Sequence, residues 1–130
     1  MSRDLHEAAR TAMGKNYARY SHFPVGAAIR ADDGQIYSGA NIEVISYPEG
    51  WCAETTAISH MVMGGARKIR EIAVIAEKMD ACTPCGGCRQ RIAEFADPDT
   101  LIHLCDHDGV VRTITMTELL PYAFDAEVLK

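Results

Sequence analysis

The sequence predicts an α/β fold, a five-stranded mixed sheet with helices on both faces, in other words a three-layer α-β-α sandwich. Three observations carry this expectation. Apolar periodicity and turn residues set the element order as α-β-β-α-β-α-β-β-α. A helix-length segment joins the third and fourth strand segments, a connection suited to a parallel pair. The short turn Asp106-His107-Asp108-Gly109 joins the last two strands, which are therefore expected to be antiparallel.

Taken in order, the first helix shows Leu5, Ala8, Ala9, Ala12 and Met13 at helical spacing, with Ser2 as its expected cap and Gly14 and Asn16 weakening its end. Residues 17–24 read as a loop. Val25–Ala31 is small and apolar, Asp32-Asp33-Gly34 turns the chain, and residues 35–40 return, which makes a hairpin. Residues 41–50 form a loop long enough to suspect a function. Residues 52–63 carry apolar side chains at 53, 57, 58, 61 and 62, a mostly buried helix ending at Gly64-Gly65. Ile69–Ala76 is a strand, residues 85–95 a helix with Pro84 just before it, and residues 101–105 and Val110–Thr115 two more strands. A short capped helix over 117–120 is stopped by Pro121, and a tail runs to Lys130.

A chain of 130 residues is expected to be one domain, 1–130, able to bury a core without cross-links. Its 48% hydrophobic and 24% charged residues are the balance of a soluble protein, and no apolar run approaches bilayer length. Residues 1–7 lack the apolar stretch of a secretory signal, so a cytoplasmic location is expected. The net charge of −5 argues against a polyanion, because phosphate contacts normally demand a basic stripe and here only Arg67-Lys68 and Arg70 cluster. The expected partner is a small neutral substrate, with neither nucleic acid nor membrane; a local basic groove is the alternative. Five cysteines, an odd number without a signal peptide, do not read as a disulfide framework. Cys105 ends an apolar run and is expected in the core, while Cys82 is a bystander thiol.

The chemistry concentrates in Cys52-Ala53-Glu54 and Pro84-Cys85-Gly86-Gly87-Cys88. Two thiolates separated by two residues grip one tetrahedral zinc; a third from upstream leaves the fourth position open for water, the mark of a catalytic site. Cys52 and Cys85 each begin a helix, where unpaired N–H groups and the helix dipole stabilise thiolates. Glu54, two residues past a ligand, is placed to move that water's proton. The plainer readings are a structural zinc, no metal with three ordinary buried cysteines, a redox pair at Cys85 and Cys88, and a Glu54 favoured in a first helical turn by the dipole alone. A redox pair, however, needs no Cys-x-Glu partner, and the full pattern matches the zinc deaminase signature with Cys in place of His.

On these motifs the chain resembles the cytidine deaminases of the small, three-cysteine, homotetrameric class, and the likeness runs almost end to end. Residues 20–28, Tyr-Ser-His-Phe-Pro-Val-Gly-Ala-Ala, resemble the family's first substrate segment, with Phe23 packing on the pyrimidine. Asn41-Ile42-Glu43 resembles its ribose-binding pair, and residues of that type supply the donor and acceptor that a hydroxyl requires; the bland reading makes them turn residues. Ser46-Tyr47-Pro48 and Gly50 precede the zinc helix as in relatives, Pro84 to Gln90 with Arg89 is close to the family pattern, and Leu119-Leu120-Pro121 with Phe124 resembles its C-terminal segment. The resemblance implies one zinc per subunit and hydrolytic deamination of cytidine and 2′-deoxycytidine in pyrimidine salvage. It also implies base contacts near Ala53 and Pro84, and a homotetramer in which Tyr47 and Phe124 reach into neighbouring sites. An antiparallel final hairpin resembles the free-nucleoside branch of the family.

Three residues depart from the pattern. Thr55 stands where many relatives place an Arg that offsets thiolate charge; three thiolates on one zinc leave net −1, so the helix ends, Arg89 and hydrogen bonds to sulfur are expected to compensate. Thr55→Arg is accordingly expected to move the acidic limb of the kcat profile to lower pH. Val44 and Trp51 are unusual at the expected pocket wall. Two rival functions are a deaminase of a nucleoside antibiotic such as blasticidin S, against which the Asn41–Glu43 pair argues, and a zinc-holding module without catalysis.

Overall fold

Helix α1 (Ser2–Met13) forms on a single apolar stripe: Leu5, Ala9, Ala12 and Met13 are buried, while Asp4, Glu7 and Arg10 face outward. These elements come from a computed structural model that describes residues 2–125. The helix stops where Asn16 Nδ2 donates to the Met13 carbonyl at 2.8 Å and Asn16 Oδ1 accepts from Ala18 N at 3.0 Å. The cap expected of the Ser2 side chain and the end of the expected tail lie outside the described residues.

Strands β1 (Val25–Ala31) and β2 (Ile36–Ala40) form the hairpin, turning through Gly34 at φ +81, a conformation that suits glycine. Helix α2 (Ala53–Met63) leads to β3 (Ile69–Ala76), helix α3 (Gly86–Phe95) to β4 (Ala96–Cys105), then β5 (Val110–Thr115) and the short α4 (Met116–Leu119). The sheet order is β2-β1-β3-β4-β5. The crossover through α3 makes β3 and β4 parallel, whereas β1 runs antiparallel to β2 and β3, and β5 antiparallel to β4.

Side chains alternate between two buried clusters. Ala27, Ile29, Ile72, Val74, Ile102 and Leu104 join Ala53, Ala57 and Met61 of α2, Ile92 of α3 and Leu119 of α4. Ala28, Ala73, Ile75 and Cys105, one residue out of step, join Leu5, Ala9 and Met13 of α1. Cys105 is a core residue, with no exposed surface. Close packing depends on two glycines. A Cβ on Gly26 would lie 2.1 Å from the Ala9 carbonyl, and one on Gly39 would lie 2.5 Å from Ala57 N, so β2 can take α2 against it only without a side chain there.

Strand β2 and helices α2 and α3 begin one residue later than expected and α4 lies one residue earlier, while β4 begins five residues early. Strand β4 starts at Ala96, paired with Ile69, and the register then jumps so that Leu101 faces Glu71. The intervening bulge is held by Thr100 Oγ1, which accepts from Asp97 N and donates to the Ile69 carbonyl, each at 2.9 Å. Asp97-Pro98-Asp99 hides this start because turn residues erase the alternation that marks a strand. Helix α4 starts one residue early because its cap is Thr115: Thr115 Oγ1 accepts from Glu118 N, and Glu118 Oε1 accepts from Thr115 N. Among the described residues no helix is long and apolar enough to cross a membrane.

Candidate active site

Cys52 and Cys85 are the N-cap residues of α2 and α3, both in extended backbone conformation, and neither side chain caps its helix. Each sulfur is thereby left free beside a helix N-terminus. Cys88, one turn into α3, is fully buried. The three Sγ atoms all lie within 4.8 Å of one another, with Cys52 and Cys85 sulfurs 3.9 Å apart, and all five cysteines are free. Zinc–sulfur bonds of about 2.3 Å at tetrahedral angles place sulfurs about 3.8 Å apart, so these thiols fit one zinc ion. Without metal, the contact with Cys88 holds the Cys52 thiol below its ordinary pKa, while the same contact and burial push Cys88 up.

Glu54, in the first turn of α2, is only 4% exposed, and burial pushes its carboxyl above the usual range against its own backbone N–H, Cys88 and the charge of Arg91. It lines a cavity of about 400 Å³ together with Cys52 and Cys85, and Phe23, Asn41, Glu43 and Ala53 line the same cavity. The structure therefore brings together most of the residues expected at the site. Asn41 and Glu43 also organise its wall. Asn41 Oδ1 accepts from Val25 N at 3.0 Å and its Nδ2 donates to the Phe23 carbonyl at 2.9 Å. Glu43 Oε1 accepts from Tyr20 N and Ser21 N, each at 3.0 Å, and Oε2 accepts from the Ser21 hydroxyl. These bonds hold the Glu43 carboxyl below its ordinary pKa.

Tyr47, Pro84 and Phe124 do not line that cavity. Tyr47 is 71% exposed, its ring 5.9 Å from that of Tyr20 across an adjoining hollow that Val44 also lines. Phe124 is 67% exposed, and its carbonyl accepts from Gln90 Nε2 at 2.7 Å. Pro84 is buried, and its carbonyl accepts from Arg89 Nε at 2.9 Å, while Arg89 Nη1 reaches the Leu119 carbonyl at 3.0 Å. Arg89 thus ties the loop before α3 to the end of α4. Thr55 meets a different arginine: Arg91 Nη1 donates to Thr55 Oγ1 at 3.2 Å, and the Arg91 guanidinium lies 5.5 Å from the centre of the Trp51 ring. Sequence reasoning missed Arg91, although its i+3 spacing from Cys88 places it on that side of α3.

Three further lining residues, Val74, Cys82 and Thr83, were not expected from the sequence, while Ser21 and Val25 fall within the expected 20–28 segment. Val74 sits toward the C-terminal end of β3, where open α/β sheets hold their ligands, a signal that topology supplies. Cys82 faces the cavity rather than standing aside, and burial together with the Glu54 charge raises its pKa. His22 and Ala81, next to Phe23 and Cys82, both have left-handed backbone, φ 54 and 52, a strain that gathers at functional sites.

Comparison with known proteins places this geometry. Residues 1–104 match the family model described as cytidine and deoxycytidylate deaminase zinc-binding region. The chain is 42% identical to a cytidine deaminase of Sporosarcina psychrophila over 121 residues, 93% of this chain and 89% of that protein. It is 45% identical to one from Halalkalibacterium halodurans over 111 residues, 85% and 84% of the two chains. Among solved structures, the cytidine deaminase from Burkholderia pseudomallei is similar with a TM-score of 0.89 at 40% identity, covering 95% of this chain and 99% of that one. That from Mycobacterium tuberculosis gives 0.84 at 34% identity, covering 95% and 96%. With three clustered thiols, a buried glutamate beside them and these relatives, the chain belongs to the cytidine and deoxycytidylate deaminase family.

Proposed function

We propose that this protein is a zinc-dependent hydrolase that converts cytidine and 2′-deoxycytidine to uridine and 2′-deoxyuridine with release of ammonia. The observation that carries this reading is the placement of the buried Glu54 carboxyl and the Cys52 and Cys85 sulfurs on one wall of the cavity that Phe23, Asn41 and Glu43 also line. Cys52, Cys85 and Cys88 hold zinc, which when bound supplies a Lewis acid that activates water at neutral pH. Glu54 does the proton work: it takes a proton from the water whose oxygen bonds to C4 and delivers it to the pyrimidine ring nitrogen N3. It then takes the second proton from the new C4 hydroxyl and gives it to the amine as the C4–N bond breaks, leaving ammonia and the C4 carbonyl. Its burial suits this task, because desolvation raises its pKa and so makes the protonated form it passes through easier to reach.

Phe23 offers a face to the base, and Val25 and Val74 keep that part of the cavity apolar. Asn41 and Glu43 face the sugar hydroxyl, and Ala53 the amide edge of the ring through its backbone; Pro84, between the lining residues Thr83 and Cys85, adds its carbonyl, which Arg89 Nε also contacts. The relatives named above are cytidine deaminases, which leaves the antibiotic and silent-module readings without support. Helix α1 on one sheet face and α2, α3 and α4 on the other support reading the fold as a three-layer α-β-α sandwich of one domain. The protein works in the cytoplasm, in pyrimidine salvage, as a homotetramer. The exposed apolar side chains of Ile45, Tyr47, Tyr122 and Phe124 favour assembly, with Tyr47 and Phe124 completing neighbouring sites.

The test is zinc-loaded protein mixed with cytidine or 2′-deoxycytidine, following loss of the cytosine absorbance band. Glu54→Ala at unchanged zinc content is expected to lose roughly 10²–10⁴-fold in kcat or more. A zinc-replete wild type that turns over neither nucleoside would overturn the reading.

A further inference from the structure

Three thiolates on one zinc leave a net charge of −1, and the two helix N-termini act on Cys52 and Cys85, their N-cap residues, while Cys88 lies inside α3. A full positive charge near the sulfurs is therefore significant, and the described residues place one on a defined path. Arg91 Nη1 lies 3.2 Å from Thr55 Oγ1, which lies 3.7 Å from Cys88 Sγ. A guanidinium only donates, so Thr55 Oγ1 must accept from it. The Thr55 hydroxyl is then left with its own proton to give, and the group it faces is the Cys88 sulfur. Thr55 and Cys88 are both buried, which keeps water from competing for either end of that contact. The outer end is steadied as well. The guanidinium lies 5.5 Å from the Trp51 ring centre, and it runs back over Gly87, where a Cβ would sit 3.4 Å from Nη1.

We infer that Arg91 is a positioning residue for the metal centre. It orients the Thr55 hydroxyl toward Cys88 and sets a fixed positive charge one hydrogen bond behind that ligand, with Trp51 holding the guanidinium in place. Arg91, Thr55 and Trp51 then form one relay, and the compensation that the sequence assigned to Arg89 comes from the arginine one residue beyond Gln90. The inference rests on the zinc reading given above. Partners behind metal ligands typically govern retention of the ion by 10–100-fold, so the relay predicts a measurable effect on metal loss as well as on turnover.

The experiment uses zinc-loaded full chain of wild type, Arg91→Gln, Thr55→Val, the Arg91→Gln/Thr55→Val double variant, and Thr55→Ser, which keeps the hydroxyl. Zinc release to a chromogenic chelator is timed, and the thiolate-to-metal charge-transfer band is recorded after cobalt(II) substitution. Arg91→Gln and Thr55→Val are each expected to release zinc roughly 10-fold faster and to move the cobalt band to longer wavelength. The double variant should go no further than either single change, because all three break one relay. Thr55→Ser should stay near wild type. Wild-type release and an unmoved band in both single variants, or additive losses in the double, would overturn the relay while zinc binding and deamination by the wild type leave the functional reading standing. A wild type that takes up no zinc would overturn both.

Discussion

Asn41 and Glu43 are each engaged with the Tyr20–Val25 segment, so the two residues expected to meet a sugar also hold the loop that carries Phe23. Removing either should therefore alter fold and binding together. Asn41→Ala breaks bonds to Val25 N and the Phe23 carbonyl and is expected to cost about 1–3 kcal/mol of stability, read by denaturant unfolding. It should raise KM more than it lowers kcat, because Glu54 and the thiols are untouched. Phe23, Asn41 and Glu43 were picked out by the family resemblance, since loop position and residue type alone also fit a core phenylalanine and two turn residues. Their mutual hydrogen bonds were not, since partners some twenty positions apart leave no local pattern.

Helix α2 carries Cys52 and Glu54, and its seat on β2 is set by Gly39. Gly39→Ala must push the helix aside, since the nearest atoms are Ala57 N, Thr56 Cβ and the Ala53 carbonyl rather than the far end of a flexible side chain. The expected result is a loss on the order of 1–3 kcal/mol together with weaker zinc retention, measured by thermal unfolding and metal content. Gly34→Ala is the contrast: it strains a turn at φ +81 with nothing within 4 Å of the added methyl, so stability should fall while zinc content holds. Most elements were legible from periodicity and turn chemistry, α2 and α3 especially, because a 3.6-residue period next to a glycine or proline is a local signal. The bulged start of β4 was not, because its pairing with Ile69 depends on a register set across the sheet.

Across the whole molecule, a polar chain ties α1 to four strands. Asp4 Oδ1 accepts from Arg30 Nη2 at 2.6 Å, Arg30 Nε donates to Glu71 Oε2 at 2.9 Å, and His103 lies 2.8 Å from both Glu71 Oε1 and Thr113 Oγ1. Burial is the largest single influence on Glu71 and pushes its pKa up, but the hydrogen bonds from His103 and Arg30 together outweigh it and leave it lowered. A carboxyl with a lowered folded-state pKa contributes stability above its ordinary value of about 4.3 and loses it as pH falls through the lowered one. Acid unfolding of the zinc-free chain should therefore become less steep in Glu71→Gln, which is less stable near pH 7 and converges with wild type at low pH. Sedimentation velocity tests the assembly: a homotetramer is expected, and a monomer that deaminates at full rate would remove Tyr47 and Phe124 from the site.

The sequence by itself determined the α/β element order, the three thiols and the glutamate beside them, because ligand spacing and amphipathic period are properties of short stretches of chain. Tertiary structure alone decided that Cys82 and Val74 face the cavity, that Asn41 and Glu43 brace the Phe23 loop, and that Arg91 rather than Arg89 reaches Thr55. The physical reason is that a side chain's direction and its distant partner follow from how the elements pack. Arg89 and Arg91 are two residues apart on one helix, about 200° around its axis, so one turns to the Leu119 carbonyl and the other to the Thr55 hydroxyl.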